Sequence, residues 1–353
     1  MQSDASPTSY HLIPNLFYMI RVAINGFGRI GRNTLKAGFG RKDLRDIEWV
    51  AVNDLTDPKN LAYLLKHDSV YRTYDKEVSA GKDYLMVDKK KILVFSEKDP
   101  TKLPWKKLKI DVVLECTGIF RDKEGAAMHL AAGAKKVIIS APSKGENIST
   151  YILGVNAENY SKKEDVIDNG SCTTNCITPV AAIIHYSFGI EKAMMTTIHG
   201  YTADQVLVDA PHKDFRRGRA AAMNIIPTTT GAAEATSKTI PDLKGKFDGL
   251  AVRVPVVAGS ISDFTFLLKK DVTVDEVNEA FRKAAKSSLM KNIFGVSEEP
   301  LVSTDILGNS LSSIVDLSQT KVVGGNMVKV LAWYDNEWGY SNRLIEMAKE
   351  IMK

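Results

Sequence analysis

Cys172 stands in the run Ser171-Cys172-Thr173-Thr174-Asn175-Cys176, directly after Asn169-Gly170 and just before a helix-like stretch over residues 179–185. A thiol near a helix N-terminus has its thiolate form favoured by the helix dipole and by unbonded first-turn N–H groups. Pro179 restricts that geometry, because a proline belongs in the first turn of a helix or kinks it. The helix is therefore expected to begin close after Cys172, or to bend. A thiolate nucleophile calls for an imidazole partner, and six histidines are present. His199 closes a strand-like run over 194–199 and opens a long polar loop, a position suited to the rim of a site. The position favours His199, while spacing alone leaves His185 open.

A second constellation is Gly26-Phe27-Gly28-Arg29-Ile30-Gly31, between the apolar run 22–24 and a helical stretch that reaches Leu35. In a GxGxxG so placed, Gly26 makes the tight turn and Gly28 lets a pyrophosphate approach the backbone. Gly31 packs helix on strand, and the helix N-terminus faces the anion. The next strand-like run, 47–52, ends at Asn53-Asp54. Asp54 is placed to accept from a ribose diol and to repel a 2′-phosphate, so NAD is favoured over NADP. Donors for further anions gather in the second half: Thr202, Arg216-Arg217, Arg219, Thr228-Thr229-Thr230-Gly231 and Arg253. Hydroxyls, backbone N–H groups and guanidinium forks are what phosphate oxygens require, although taken singly each also reads as part of a polar loop with solvated arginines.

The other two cysteines add no such chemistry. Cys116, inside a strand-like run, reads as buried and inert. Cys176 lies about one turn beyond Cys172, but no second ligand cluster accompanies the pair and no metal is expected. Three cysteines form no disulfide framework and suit a reducing cytoplasm.

The elements that position these residues follow from the patterning. Strand-like runs at 22–24, 47–52, 111–116 and 137–140 alternate with helical ones, including 126–132, which implies a parallel sheet with right-handed crossovers. Ligand sites in such sheets lie at the carboxyl ends of the strands, where Asp54, Thr117-Gly118 and Ser140 fall. Beyond about Gly170 the texture becomes β-rich, with runs at 194–199, 250–257, 263–268, 312–316 and 328–334. The expected fold is α/β: a Rossmann domain over 19–170, completed by a helix within 335–353, and an α+β catalytic domain over 171–334 with a large mixed or antiparallel sheet. The loop 200–222 is long enough to expect function of it.

Bulk properties exclude several classes. The chain has 353 residues, 44% hydrophobic and 25% charged, with 47 Lys and Arg against 42 Asp and Glu. A formal charge of +5 with basic clusters at 89–91, 106–109 and 216–219 gives no basic footprint for nucleic acid. No apolar run approaches the ~18 residues of a membrane span. Residues 1–18 carry no Lys or Arg and precede a second methionine, Met19. They read as a disordered tail or a start assigned too early.

Taken in order and spacing, NGFGRIGR, SCTTNC, PTTTGAA and WYDNEWGYSN resemble the phosphorylating glyceraldehyde-3-phosphate dehydrogenases, over essentially all of residues 19–353. The resemblance implies that Cys172 is the nucleophile and His199 its base, and that an aldehyde is oxidised through a thiohemiacetal and a thioester that phosphate then cleaves. It implies two anion sites. Thr202 and Arg253 match the one for the substrate's phosphate. Ser171, Thr173, Thr230 and Gly231 match the one for attacking inorganic phosphate, with Arg217 the loop arginine. Arg29, Ile30, Asp54 and Ser140 match cofactor contacts, and Asn336 the residue that orients the nicotinamide carboxamide. It further implies a homotetramer, with the loop 200–222 crossing an interface beside a neighbour's cofactor.

Three departures bear on detail. Lys98 stands where the family commonly has Arg near the adenine. Ala210, before Pro211, replaces the Leu usual in NAD-specific members. Val256-Val257-Ala258-Gly259 replaces Thr-Pro-Asn-Val behind the substrate phosphate. The rival within the same fold is a hydrolytic erythrose-4-phosphate dehydrogenase, against which the intact PTTTG and Thr202 argue. A rival of another class, a non-catalytic dinucleotide sensor or nucleic-acid binder, is opposed by the presence of both Cys172 and His199.

Overall fold

The computed structural model describes residues 18–353. Strand Ile20–Asn25 is buried along almost its whole length, as a central parallel strand covered on both faces must be. It lies within a nine-stranded sheet. Strands Ser149–Thr150, Val166–Asp168, Lys136–Ile139, Val112–Glu115, Ile20–Asn25, Ile47–Asn53 and Lys90–Phe95 follow one another with every neighbouring pair parallel. Tyr84–Val87 and Val78–Ala80 add an antiparallel edge. Helices Arg29–Gly38 and Lys123–Ala131 supply two of the crossovers.

Strand Ser260–Leu268 shows the other pattern, with burial alternating residue by residue, as expected where one sheet face meets a helix. It belongs to an eight-stranded mixed sheet, running Ile226–Thr228, Phe247–Val254, Ile190–Gly200, Ser260–Leu268, Met327–Tyr334, Ser313–Asp316 and Phe294–Ser297, with Lys321–Val323 also on Met327–Tyr334. Ile190–Gly200 pairs parallel with Phe247–Val254 and antiparallel with Ser260–Leu268. Helix Cys172–Phe188 covers its inner face, sharing a core in which Ile177, Val180 and Ile184 join Phe264, Phe266 and Val330.

This helix begins at Cys172, in line with the expected start close to that residue, and runs past the helix-like stretch 179–185 to Phe188. Ser171 starts it with a capping box: its Oγ accepts from Thr174 N, and Thr174 Oγ1 accepts from Ser171 N. Pro179 lies inside the helix and offers no N–H to the Asn175 carbonyl. The cap and a fully buried apolar face outweigh that single lost bond.

The last helix, Trp338–Glu350, returns to the first sheet, where Tyr340, Leu344, Ile345 and Met347 pack with Val22, Leu35 and Trp49. Residues 1–17 of the expected tail lie outside the described residues. Tyr18, assigned to that tail, is instead tied to the first sheet: its hydroxyl bonds Asp111 Oδ1 at 2.5 Å and accepts from Lys135 Nζ at 2.9 Å.

Candidate active site

The glycine-rich turn is built as its spacing requires. Gly26 has φ +90°, and a Cβ there would sit 2.7 Å from Thr117 N. A Cβ on Gly31 would lie 2.2 Å from the Gly26 carbonyl oxygen, so its absence lets the helix close on the turn. Gly28 differs from both. It caps helix Arg29–Gly38 with no side chain bonded to the first-turn N–H groups, and a Cβ there would meet nothing within 4 Å. Open space over free N–H groups at a helix start fits a pyrophosphate. The cleft alongside, about 560 Å³, is lined by Asp54, Lys98, Thr117 and Phe120 among others.

Asp54 braces this turn, accepting from Phe27 N at 2.8 Å and from Thr56 N at 3.0 Å. Arg29 and Ile30 open the helix, where first-turn N–H groups have no intrahelical partner, but neither lines the cleft. The Arg29 guanidinium is turned away to Asp68, at 2.8 Å, and to Glu337, so it makes no side-chain contact with the cleft. Ser140 follows strand Lys136–Ile139 and donates its N–H to Glu115 O at 2.9 Å; it does not line this cleft. Asn336 is buried, and its Oδ1 accepts from Gly259 N at 3.0 Å and Ser260 Oγ at 2.9 Å. That fixes the amide with its nitrogen donating to none of the described residues. The altered segment 256–259 thus does anchoring work: Gly259 holds Asn336, and the Val256 carbonyl accepts from Tyr201 N at 3.0 Å.

Cys172 is the first residue of its helix, and its Sγ lies 3.4 Å from His199 Nε2. His185 sits near the other end of that helix, thirteen residues on, or about 20 Å at 1.5 Å per residue. Its ring meets Asp242 and Ile190 N instead. Of the two histidines left open by the sequence, His199 is the one within reach of the thiol. His199 Nδ1 contacts the Gly200 carbonyl at 2.6 Å and Arg253 Nη1 at 2.6 Å. One nitrogen cannot donate to the first and accept from the second. Arg253 Nη1, a donor only, also reaches the Gly200 carbonyl at 3.2 Å; where Nδ1 carries the ring proton, Nε2 is left to accept from the thiol. Burial pushes the Cys172 thiol up, against the opposing pull of Arg253 and the Thr173 hydroxyl and N–H. Burial, and then the Arg253 charge, pushes His199 down to about 3. The resting pair is a thiol bonded to a neutral imidazole. Cys176 is fully buried, whereas Cys116, expected to be buried, is only partly so and lines the cofactor cleft; burial pushes both thiols up to about 12, so neither offers a thiolate near neutral pH. Among the described residues, no group of three or more His, Cys, Asp or Glu gathers as metal ligands.

Sheet register assembles the anion donors. His199 pairs with Arg253 across parallel strands, and Arg253 with Ile226 across the next antiparallel pair. That sets Ile226 level with Arg253 and His199, and Thr228 level with Ala251 and Thr197, on the strand flanking that of Arg253. Arg253 Nε is buried with no partner among the described residues. From the loop, Arg217 donates from Nε to Thr228 Oγ1 at 2.9 Å, from Nη2 to Thr229 O at 3.2 Å and from Nη1 to Asp204 Oδ2 at 2.7 Å. Gly231 opens helix Ala232–Thr239, again with no side-chain cap and no neighbour where a Cβ would stand. Thr230 Oγ1 accepts from Ala232 N. Two expected phosphate donors are already engaged: Ser171 Oγ in the helix cap, and Thr173 Oγ1 with Tyr334 OH at 2.9 Å.

Two residues escaped the sequence reading. Tyr334 stacks edge-on against His199 and bridges the Thr173 and Thr197 hydroxyls; nothing in a strand-like run marks such a tyrosine. Asp204 bonds both Thr202 Oγ1 and Arg217. The alternation Thr202-x-Asp204 was its only signal.

Fold and site together define a class: an NAD-dependent oxidoreductase with a cysteine–histidine pair. Residues 20–123 match the family model for the glyceraldehyde 3-phosphate dehydrogenase NAD-binding domain, and residues 171–336 match that for its C-terminal domain. The chain is 51% identical over 340 residues to glyceraldehyde-3-phosphate dehydrogenase of Borreliella burgdorferi, covering 95% of this chain and 100% of the relative. It is 53% identical over 333 residues to that of Geobacillus stearothermophilus, covering 94% and 98%. A chloroplastic relative from Arabidopsis thaliana is 51% identical over 330 residues, covering 93% and 83%. The chain belongs to the glyceraldehyde-3-phosphate dehydrogenase family.

Proposed function

We propose that this chain converts glyceraldehyde 3-phosphate, NAD and inorganic phosphate into 1,3-bisphosphoglycerate and NADH, with the following division of roles. His199 Nε2 takes the thiol proton, Cys172 Sγ adds to the aldehyde carbon as the C=O π pair moves to oxygen, and the same proton passes from Nε2 to that oxygen to give a thiohemiacetal. His199 then accepts the hydroxyl proton as the C–H pair departs as hydride. Bound NAD supplies the hydride acceptor. An oxygen of inorganic phosphate attacks the resulting thioester, the C–S bond breaks, and the acyl phosphate leaves with Cys172 restored. Thr202 and Arg253 hold the substrate's phosphate; Thr230, Gly231 and Arg217 hold the attacking one, with Ser171 and Thr173 beside them. The helix start at Gly28–Gly31, Asp54, Lys98 and Asn336 hold the dinucleotide.

The observation that carries this reading is the Cys172–His199 pair with Arg253 beside it. NADH formation from glyceraldehyde 3-phosphate and NAD, with and without inorganic phosphate, tests it, with erythrose 4-phosphate run alongside. Phosphate-dependent turnover on the triose is expected. Phosphate-independent turnover, fastest on the tetrose, would overturn the substrate while leaving the thiol chemistry.

The same reading divides the chain into a cofactor part, 19–170 with 335–353, and a catalytic part, 171–334. Support comes from the final helix sharing a core with the first sheet. A homotetramer is supported by exposed apolar side chains on the long loop, with Leu207 and Phe215 each more than four-fifths exposed; sedimentation velocity tests it. A cytoplasmic location is supported by three free cysteines, and no helix among the described residues is long and apolar enough to cross a membrane.

A further inference from the structure

A site that binds a phosphorylated aldehyde and uses free phosphate as a second substrate has a selectivity problem. Inorganic phosphate, present throughout turnover, also fits the subsite meant for the substrate's phosphate. The side chain that bears on this is Asp204. Its Oδ1 accepts from the Thr202 hydroxyl, and its Oδ2 accepts from Arg217 Nη1 at 2.7 Å. It therefore touches one donor from each of the two proposed anion sites. The turn is closed by Gln205, whose Oε1 accepts from Thr202 N at 3.3 Å and whose N–H donates to Thr202 O at 2.9 Å. Meanwhile Arg253 Nε and Gln205 Nε2 are buried without partners among the described residues. Donors that an anion would satisfy stand waiting around a carboxylate that already holds Thr202.

We propose that Asp204 is a positioning residue that stands in for the substrate's phosphate, holding Thr202 and Arg217 assembled and screening that subsite from free inorganic anions. The proposal rests on the placement of the substrate's phosphate at Thr202 and Arg253. The carboxylate is charged at working pH. Burial pushes it up, but the Thr202 hydroxyl and the Arg217 and Arg253 charges outweigh this and hold it below the usual carboxylate range. Any phosphate entering must displace the Thr202 bond and tolerate the negative charge. The substrate's phosphate is tethered to an aldehyde held at Cys172, so its effective concentration at the subsite is high. A free anion has no tether and bears the whole cost of displacement. One carboxylate thus separates two ligands with the same headgroup.

The test uses the full-length enzyme and sulfate, which has the headgroup's charge and shape but yields no acyl phosphate product. Initial rates of NADH formation are measured with glyceraldehyde 3-phosphate varied at several fixed sulfate concentrations, for wild type, Asp204→Asn and Asp204→Glu. The sulfate inhibition constant competitive with aldehyde should fall by ~3- to 10-fold in Asp204→Asn, the scale of losing one half-exposed neighbouring charge. It should remain near the wild-type value in Asp204→Glu, which keeps the charge. NAD titration checks that each variant is folded, and Asp204→Ser makes the same comparison should asparagine fail to fold. A residue that merely braces the loop gives the opposite sign: without it, sulfate binds no better or more weakly. That result, or equal behaviour of Asn and Glu, overturns the proposal. Wild-type turnover indifferent to phosphate would instead overturn the assignment of the two anion sites. Phosphate-dependent wild-type turnover with an unchanged sulfate constant in Asp204→Asn would refute the role of Asp204 alone.

Discussion

Cys172 Sγ and His199 Nε2 lie 3.4 Å apart because one residue begins a helix and the other nears the end of a strand beneath it. Replacing sulfur with a hydroxyl keeps that geometry but loses the nucleophile. Cys172→Ser should therefore lower NADH formation at least ~10³-fold while NAD affinity stays within a few-fold. Steady-state rates and a fluorescence titration of NAD check the two halves, and substantial residual turnover would remove Cys172 from its role.

His199 carries two pH signatures. As the acceptor for the Cys172 thiol it promotes thiolate formation, so His199→Asn should slow iodoacetamide alkylation near neutral pH roughly tenfold. An unchanged rate would leave the helix terminus as the activator. For stability, the folded value of about 3 lies below the ~6.5 of a free imidazole. Below ~6.5 the unfolded chain binds a proton that the folded chain refuses. Stability is thus unaffected by this group above that pH and declines as pH falls from there toward 3. Urea midpoints at pH 7 and pH 5 should converge more in His199→Asn than in wild type.

Gly28 and Gly31 should fail in different ways. A methyl at Gly31 collides with the Gly26 carbonyl at 2.2 Å, so Gly31→Ala should destabilise the fold by about 1–3 kcal/mol, visible in thermal melting. A methyl at Gly28 meets no protein atom within 4 Å. Gly28→Ala should melt like wild type yet bind NAD at least ~10-fold more weakly, a loss of about 1.4 kcal/mol. Unimpaired NAD binding by that variant would move the pyrophosphate elsewhere.

Asp54→Gly should raise the NADP-to-NAD ratio of kcat/KM by removing the charge that opposes a 2′-phosphate. It also removes the acceptor for Phe27 N, so NAD affinity itself should drop. A ratio that does not change would place cofactor selectivity outside Asp54.

Some of this was open to the sequence because its cause is local. The missing Cβ of Gly31 acts on Gly26 and Ile24 of the same strand and turn, whereas that of Gly26 makes room for Cys116 and Thr117 at the end of a neighbouring strand and Gly28 meets no protein atom. The capping box at Ser171 and Thr174 spans one turn and sets Cys172 at the helix start. Thr273 with Glu276 opens helix Val274–Ala285 in the same way, and neither box was part of the sequence expectations. Polar Thr173, Thr174, Asn175 and Thr178 break the apolar periodicity over the first turns of helix Cys172–Phe188, so its start was read from Pro179 and the placement of Cys172 rather than from a hydrophobic pattern.

The amino-acid sequence by itself determined a strand–glycine turn–helix that meets an anion, an acid after the next strand, and a thiol at a helix start. Which imidazole serves that thiol was decided by tertiary structure, because His185 and His199 differ in distance across the fold. The same holds for the turning of the Arg29 guanidinium to Glu337, and for Asp204 standing between Thr202 and Arg217. These contacts join residues through strand register and loop closure, and no periodicity along one segment records where another segment will lie.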